Sequence, residues 1–482
     1  MTTADATSVS GVELARGIGV APARGFWEEA WRSVLKRPAA VAGLTWIGLV
    51  ALLAIWAPML ANGHPLLMRE TLSDGGQRAS SPLWEHLTAI DLLLLLGGVV
   101  GPAWMFWPMR MGRGRRLGWL LAAGAQSAAV IVACAIMSAY LGQRDAADWA
   151  RALDLAAWFP WVAAAAAALM SAGLVIWLGR LRGAALVGVL LVAAVAAMIG
   201  AGRWKSPLTR YDYAEREAAG AISASYTLVP FSPDQTDTSM YVMPPGSAGP
   251  SGRSHALGTD PYGQDVLSQM LHACRLSISI GLVSTGLAVL IGVTVGALAG
   301  YFGGVVDLLL QRVIEVFMAI PVLFLLIVAA GVLPPELRST YVMMAIIGCV
   351  TWTGAARFTR AEFFKLRNQD FVQSARALGL PLRSILFRHM LPNGVTPVLV
   401  DASFAVAAAI LAEAVLSYLG LGPVGQPSWG KLLSSGKGAT GTFVWWLAVF
   451  PGLAIFLTVL AYNLVGEALR DAIDPKLKKA RV

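Results

Sequence analysis

The segment Gln373-Ser-Ala-Arg-Ala-Leu-Gly379, followed by His389-Met-Leu-Pro392-Asn393, lies between two long apolar stretches of the chain. It is polar and basic, and glycine and proline interrupt it. An otherwise apolar chain has little use for such a loop unless it contacts a soluble partner, although a tight linker is the alternative. The small side chains of Ser374 and Ala375 would let a helix lie deep in a groove of that partner.

The residues around this segment predict two short helices joined by a turn. Asp370 is expected to cap the first helix, and Gly379 to end it in the left-handed conformation. Pro381 suits the first turn of the second helix, and Pro392 is expected to end that helix.

The composition indicates an integral membrane protein. Of 482 residues, 57% are hydrophobic and 13% are charged, whereas a soluble domain carries about 25% charged residues. Several apolar stretches reach about 20 residues, the length of a membrane-spanning helix. Because basic residues collect on the cytoplasmic loops of such proteins, the net charge of +9 does not indicate nucleic-acid binding.

Ten spans are predicted, so the fold class is an all-α polytopic membrane protein. They lie near residues 39-61, 91-108, 117-140, 157-179, 184-202, 275-299, 309-333, 340-359, 394-418 and 443-467. With the N-terminus in the cytoplasm, the basic clusters fall on cytoplasmic loops, as the positive-inside rule requires. These clusters are Lys36/Arg37, Arg110/Arg113/Arg115/Arg116, Arg180/Arg182, the cations from Arg357 to Arg388, and Lys476/Lys478/Lys479/Arg481.

The spans divide the chain into seven parts. These are a cytoplasmic N-terminus (1-38), the first span (39-61), an external loop (62-90), an inserted block of four transmembrane helices (91-202), an external loop or small lobe (203-274), the core (275-468) with its cytoplasmic loop 361-393, and a cytoplasmic tail (469-482). No cleavable signal peptide is visible, so the first span is expected to be an uncleaved anchor. Residues 26-37 predict an amphipathic helix at the membrane interface, or else the first turns of a bent first span.

The core carries features that the inserted block lacks. Gly292, Gly296 and Gly300 are spaced for close helix packing in lipid, either within this chain or against a partner. Arg312 and Glu315 are expected to pair with each other. Ionisable groups at membrane depth are costly, so Asp401 and Glu413 are candidates for the substrate path, with structural hydrogen bonding as the alternative.

Sequence motifs for other functions are missing. The three cysteines and five histidines are scattered, so no metal site is expected. Residues 430-438 are similar to a phosphate-binding loop, but they have the wrong glycine spacing and lack the Ser or Thr that would hold magnesium. We therefore expect no catalytic residues and no cofactor bound by this chain.

Several motifs together resemble the permease subunits of bacterial ABC importers, in the C-type permease of the dipeptide, oligopeptide and nickel branch. The family signature Glu-Ala-Ala, then Gly, then Leu-Pro stands here as Gln373-Ser374-Ala375, Gly379 and Leu391-Pro392. Further similar motifs are His255-Ala-Leu-Gly-Thr-Asp-Pro-Tyr-Gly-Gln-Asp-Val-Leu-Ser268, Ala299-Gly-Tyr-Phe-Gly-Gly304, Leu416-Ser-Tyr-Leu-Gly-Leu-Gly422, Pro427-Ser-Trp-Gly430, Trp445-Trp-Leu-Ala-Val-Phe-Pro-Gly452 and Arg470-Asp-Ala-Ile-Asp-Pro475. The resemblance is dense over 255-482 and weak over 26-60.

The resemblance implies a subunit of the bacterial cytoplasmic membrane that pairs with a second permease, two ABC ATPases and an external substrate-binding protein. ATP and magnesium would bind the ATPases. The docking residues it implies are Gln373, Ser374, Ala375, Arg376, Gly379, His389, Leu391 and Pro392. The chain departs from the family in two ways: Gln373 replaces a glutamate, and the block 91-202 is added to the usual six spans. An even number of added spans preserves the orientation of the core.

Three questions stay open on the sequence. The cargo is expected to be dipeptides or oligopeptides, with nickel or a peptide antibiotic as alternatives. The partner permease is either a different chain or a second copy. In a different class, the protein would be a membrane-embedded enzyme, or an assembly protein whose 91-202 block binds another membrane protein.

Overall fold

A computed structural model describes residues 26–71, 77–107, 112–141, 159–179, 184–203, 212–249, 252–437 and 443–473. The basic residues Arg110, Arg180, Arg182 and those of 476–481, which entered the orientation argument, lie outside this part. So do the charged residues between 142 and 158.

Of the ten predicted spans, eight are single helices long and apolar enough to cross a membrane within the described residues, and the other two are bent helix pairs. The first half contains α1 (Phe26–Leu35), α2 (Pro38–Leu60), α3 (Pro82–His86), α4 (Ala89–Phe106), α5 (Arg113–Leu141), α6 (Phe159–Gly179), α7 (Ala184–Gly202) and α8 (Tyr213–Ala218). The second half contains α9 (Val266–Phe302), α10 (Gly304–Ala319), α11 (Val322–Gly331), α12 (Thr340–Val350), α13 (Thr353–Leu366), α14 (Asp370–Ala377), α15 (Leu382–Ser384), a π-helix (Ile385–Met390), α16 (Leu391–Gly394), α17 (Thr396–Tyr418), α18 (Trp429–Ser435) and α19 (Trp445–Ile473).

The long helix α9 is the centre of the core and packs on α2, α12, α13 and α17. Gly292, Gly296 and Gly300 form a row along α9, and this glycine row faces α13 of the same chain. A Cβ atom placed on Gly296 would lie 2.3 Å from the carbonyl oxygen of Ala356, and one on Gly300 would lie 2.5 Å from that of Arg360. The row therefore packs within this subunit, which decides between the two alternatives that the sequence left open.

Two predicted continuous spans are each two helices, which corrects the sequence prediction. The span 309-333 is α10 and α11, bent by 82°, and the span 340-359 is α12 and α13, bent by 43°. The first break lies at Ile320, which is extended, and at Pro321, which has a non-helical ψ of 123°. Proline removes a helical hydrogen bond and disfavours the helical conformation of the preceding residue, so the chain turns there.

The first core span begins earlier than predicted, at Val266 rather than 275. The side chain of Asp265 accepts a hydrogen bond from the backbone N–H of Ser268 at 2.7 Å and caps the helix. This cap satisfies one of the free N–H groups at the helix start.

The two external segments, predicted separately as 62-90 and 203-274, form one lobe. Strands β1 (Leu67–Thr71), β2 (Gln77–Ser80) and β3 (Ile222–Ser225) make an antiparallel sheet of order β2-β1-β3, in which Met68 pairs with Ala224. A second small ladder joins β4 (Ser247–Ala248) and β5 (Ser254–His255). The sheet thus ties together the chain before and after the inserted block.

The N-terminal segment is a separate helix, since α1 ends at Leu35 and α2 begins at Pro38. Its buried residues Ala30 and Val34 pack on Ala468 and Ala472 near the end of α19. Because α2 runs from α1 to the lobe, the two ends of the described chain lie at the end of the bundle opposite the lobe.

Candidate functional site

The two predicted short helices and the turn between them, residues 370–394, are present, with one correction at the start. We call this segment the helix-turn. Gln369, not Asp370, occupies the cap position of α14, and no side chain caps the helix by hydrogen bonding. Asp370 is instead the first helical residue, where a carboxylate favours the positive end of the helix dipole.

Gly379 ends α14 as predicted, with φ +67°. Its N–H donates to the Arg376 carbonyl at 2.9 Å, and the N–H of Leu380 donates to the Ala375 carbonyl at 3.2 Å. These two bonds form a Schellman motif, which needs a left-handed residue after the helix.

Pro392 does not end the second helix, which corrects the prediction. The chain after Pro381 forms α15, one π-helical turn and α16, and Pro392 lies in the first turn of α16. A π-helical turn widens the backbone, and the proline then falls where a missing N–H breaks no helical bond.

One face of the helix-turn is fixed to the core. Val372 and Ala375 are 0% and 5% exposed and pack in a cluster with Phe363 of α13 and Met390. Ala375 therefore holds α14 against this chain, whereas Ser374 is exposed.

The opposite face is open and mixes apolar with polar groups. We call it the outer surface of the helix-turn: Phe371, Gln373, Ser374, Leu378 and Leu382, all exposed. Leu378 is 78% exposed, although it is the last residue before the turn. Several exposed apolar side chains grouped among polar residues are typical of a protein-binding surface.

Two polar residues beside this surface have defined orientations. The guanidinium of Arg376 donates from Nε to the Tyr301 hydroxyl at 3.1 Å and lies 4.4 Å from the centre of the Tyr301 ring. Gln373 donates from Nε2 to the carbonyl oxygen of Asn368 at 3.3 Å. Arg376 is thus held on α9, close to the outer surface.

The remaining residues of the predicted docking set lie at the base of the helix-turn. The carbonyl oxygen of half-buried His389 accepts from Asn393 at 2.7 Å. Leu391 packs against a cluster that contains Val293, and Pro392 is exposed.

The two carboxylates proposed for the substrate path have different surroundings on α17. Glu413 is 1% exposed and accepts a hydrogen bond from Ser417 at 2.6 Å. Asp401 is half-buried and faces the start of α13, where a Cβ on Gly354 would lie 3.1 Å from its Oδ2 atom. The contacts of Glu413 are those of a structural hydrogen bond, and Asp401 lies beside the bend between α12 and α13.

The expected Arg312–Glu315 pair is confirmed, at 2.5 Å. Two of the ion pairs that the sequence analysis missed join helices of the bundle. Arg360 donates to Asp307 through two nitrogens, one at 2.7 Å, and Arg275 of α9 pairs with Asp91 of α4. Both pairs join residues far apart in sequence, so no local spacing indicates them.

The motif 255-268 builds the junction between the lobe and α9. The His255 ring lies 2.9 Å from Asp265, and Asp260 accepts from the backbone N–H groups of Tyr262 and Gln264. Trp446 of α19 donates to the Thr259 carbonyl oxygen at 3.1 Å. Among the described residues, no three His, Cys, Asp or Glu side chains come together as a metal site.

The described residues thus form a bundle of apolar helices, two of its spans bent, with a lobe at one end and the helix-turn at the other. Residues 292–479 match the family described as "binding-protein-dependent transport system inner membrane component", and residues 25–71 match the "N-terminal TM domain of oligopeptide transport permease C". The chain belongs to this family and is a permease subunit of an ABC importer.

The relatives match about half of this chain. The chain is 35% identical over 261 residues to the dipeptide transport system permease protein DppC of Alkalihalophilus pseudofirmus, which covers 53% of this chain and 84% of the relative. It is 38% identical to the peptidoglycan transport system permease protein YejE of Agrobacterium fabrum, over 58% of this chain and 72% of the relative. The chain is also 38% identical to the oligopeptide transport system permease protein OppC of Bacillus subtilis, over 48% of this chain and 74% of the relative.

Proposed function

We propose that this permease imports dipeptides or oligopeptides and is coupled to ATP hydrolysis through the helix-turn of residues 371-391. The observation that carries the coupling is the pair of faces on α14. One face is locked into the core through Val372 and Ala375, and the other presents Leu378 to the outside. A force applied to the outer surface therefore reaches α9 and α13 through packed side chains.

The proposed partners follow from this surface and from the family. Two ABC ATPases bind ATP and magnesium, and one of them docks on the outer surface. A second permease completes the path, and a binding protein delivers cargo to the lobe. In this arrangement the chain lies in the bacterial cytoplasmic membrane with both termini in the cytoplasm, and it has no ATPase site of its own.

The proposed mechanism is alternating access. When the ATPases close, the helix-turn moves with them and drives α13, whose start is bent by 43° against α12. A change of this kind requires that the ATPases contact the two conformations differently, since equal affinity shifts no equilibrium. Gln373 takes the place of the family's glutamate, so docking here rests on hydrogen bonding, shape and the neighbouring cations rather than on that carboxylate.

The docking proposal is tested with Leu378→Ser in the assembled importer. We expect the ATPase subunits to co-purify with the tagged permease at least about tenfold less, because a buried leucine contributes about 1.5–3 kcal/mol to an interface. The matched control is Leu228→Ser, which removes a leucine 83% exposed on the lobe and should leave ATPase association unchanged. Normal co-purification and coupled uptake in the Leu378 variant would contradict the assignment.

The inserted block offers a second candidate role, as a binding surface for another membrane protein. Deleting 91-202 and rejoining the chain separates the roles. If the shortened importer still takes up its cargo, the block is an accessory. If the importer no longer assembles, the block is an interface with a partner. The cargo is identified by measuring the uptake of labelled dipeptides and oligopeptides and comparing it with the uptake of nickel.

A further inference from the structure

A groove of about 610 Å³ lies along the outer side of α2, where this span follows the N-terminal helix α1. Leu35 and Lys36 line its mouth, and the rest of its lining is a stripe of α2 from Pro38 to Leu49. The stripe repeats at intervals of three and four residues, so it is one face of the helix. Another face of α2 is buried against α9 and α19. The groove is therefore on the outside of the described bundle.

The groove has the depth of one membrane leaflet. Pro38 is the first residue of the span, so Lys36 lies at the level of the membrane surface. Trp31 of α1 is 49% exposed, and tryptophan collects at the membrane interface. The stripe from Pro38 to Leu49 is about 16 Å long at the helical rise of about 1.5 Å per residue. Half of the hydrocarbon core of a bilayer is about 15 Å, so the groove runs from the interface to the bilayer midplane.

The walls of the groove are apolar and fixed. The indole Nε1 of Trp46 donates to the hydroxyl of Thr458 on α19 at 3.1 Å, which holds the ring in place. The hydroxyl of Thr45 donates to the carbonyl oxygen of Val41 at 2.8 Å. Val41 and Leu49 are 40% and 47% exposed. Because the polar groups of Trp46 and Thr45 donate within the chain, the groove below its mouth fits hydrocarbon rather than a polar ligand.

The mouth of the groove is held by the last span and carries a free cation. Arg37 pairs with Asp471 of α19 at 2.6 Å, and Ala30 and Val34 of α1 pack on the same helix. Between these two attachments, Lys36 is exposed and makes no ion pair with a carboxylate of the described residues. The guanidinium of Arg37 is thus neutralised, whereas the ammonium of Lys36 is available to an anion.

An apolar groove one leaflet deep, with a cation at its mouth, matches the two parts of a phospholipid. We propose that it binds one anionic phospholipid from the leaflet on the side of the N-terminus. The headgroup phosphate contacts Lys36, and one acyl chain lies along Val41, Thr45 and Leu49. In the proposed orientation this is the cytoplasmic leaflet, whose anionic lipids attract basic residues next to a span. The site does not depend on the identity of the cargo.

The headgroup contact is tested by titrating the complete importer in detergent with phosphatidylglycerol, which is anionic, or phosphatidylcholine, which is zwitterionic. Native mass spectrometry measures the Kd of the first bound molecule. We expect phosphatidylglycerol to bind more tightly, and its Kd to rise about fivefold in Lys36→Gln, as one basic residue contributes near an anionic surface. Lys36→Arg should retain the affinity. The matched control Lys431→Gln removes an exposed lysine of α18 and should leave the Kd unchanged.

The acyl-chain contact is tested with phosphatidylglycerol that carries a photoreactive acyl chain. In the unmodified importer, illumination should attach the lipid to residues 41–49, as mapped by mass spectrometry. Ala42→Leu fills the groove and should abolish this adduct. Ala39→Leu places the same side chain at an exposed position of α2 outside the lining and should retain it.

Three results would overturn the inference. The first is equal affinity for the two lipids, or an unchanged Kd in Lys36→Gln. The second is an adduct that maps outside α2. The third is cross-linking of residue 45 to the second permease or to residues 1–25, which would make the groove a contact between protein segments. Since none of these measurements uses transport, they leave the proposed cargo and the ATPase docking to their own tests.

Discussion

The inserted block and the core are both bundles of apolar helices, yet they are held together differently. In the block, α5, α6 and α7 pack through small apolar residues such as Val130, Ala164 and Ala193. In the core, helices are bent, glycines bring backbones into contact, and the Arg360–Asp307 ion pair joins α10 to α13. The block therefore packs through regular apolar helices, whereas the bends, the close backbone contacts and the ion pair between helices lie in the core.

The two regions meet at α4, which packs on α2 and α5. Asp91 near its start is 7% exposed, accepts from the backbone N–H and hydroxyl of Thr88, and pairs with Arg275 of α9. Arg275 also donates to the Ala54 carbonyl oxygen at 3.3 Å. The inserted block is thus attached to the central helix of the core by a shielded ion pair.

The largest effect is expected from breaking this attachment with Arg275→Met. It leaves the Asp91 carboxylate unpaired in a nearly buried site, which costs about 3–5 kcal/mol. Thermal unfolding of the purified permease reports the loss. The control Arg312→Met breaks a pair in which both side chains are well exposed and should cost less than about 1 kcal/mol. Equal effects of the two variants would show that Asp91–Arg275 is not a structural link.

A smaller effect is expected from Gly296→Ala in the core, compared with Gly173→Ala in the block. The added methyl at 296 would lie 2.3 Å from a backbone oxygen, whereas nothing lies within 4 Å of a Cβ at 173. Overpacking costs about 1–3 kcal/mol, and alanine in an open helical position is neutral or stabilising by up to about 1 kcal/mol. The unfolding midpoints of the two variants should move in opposite directions, and a shared direction would contradict the contrast in packing.

The smallest effect concerns the lobe, which joins the chain on either side of the block. The His64 ring is 3% exposed, stacks on His86 and lies 3.2 Å from the Tyr213 hydroxyl. Burial, and then the charge of His86, lower the pKa of His64 from 6.5 to about 4. The unfolded lobe therefore binds a proton that the folded lobe does not, and its stability falls as pH drops from 6.5 towards 4.

Between pH 6.5 and 5 this loss amounts to about 1.5 kcal/mol. Hydrogen exchange of β1 and β3, measured across this range, is the appropriate readout. His64→Gln should flatten the pH dependence, and an unchanged slope in that variant would assign the titration to another group.

The sequence by itself determined the membrane class, the positions of the apolar helices and the family. Runs of about 20 apolar residues have few alternatives to membrane helices. It also determined the left-handed turn at Gly379, because that signal is local, and the Arg312–Glu315 pair, because residues three apart on a helix are neighbours.

Only the tertiary structure decided which surfaces meet. It placed Ala375 against the core, assigned the glycine row to α13 of the same chain, joined the two external segments into one lobe, and broke two spans that hydropathy treats as continuous. It also brought Arg275 beside Asp91. Hydropathy and spacing report the environment along one helix, whereas these contacts depend on how helices distant in sequence pack on one another.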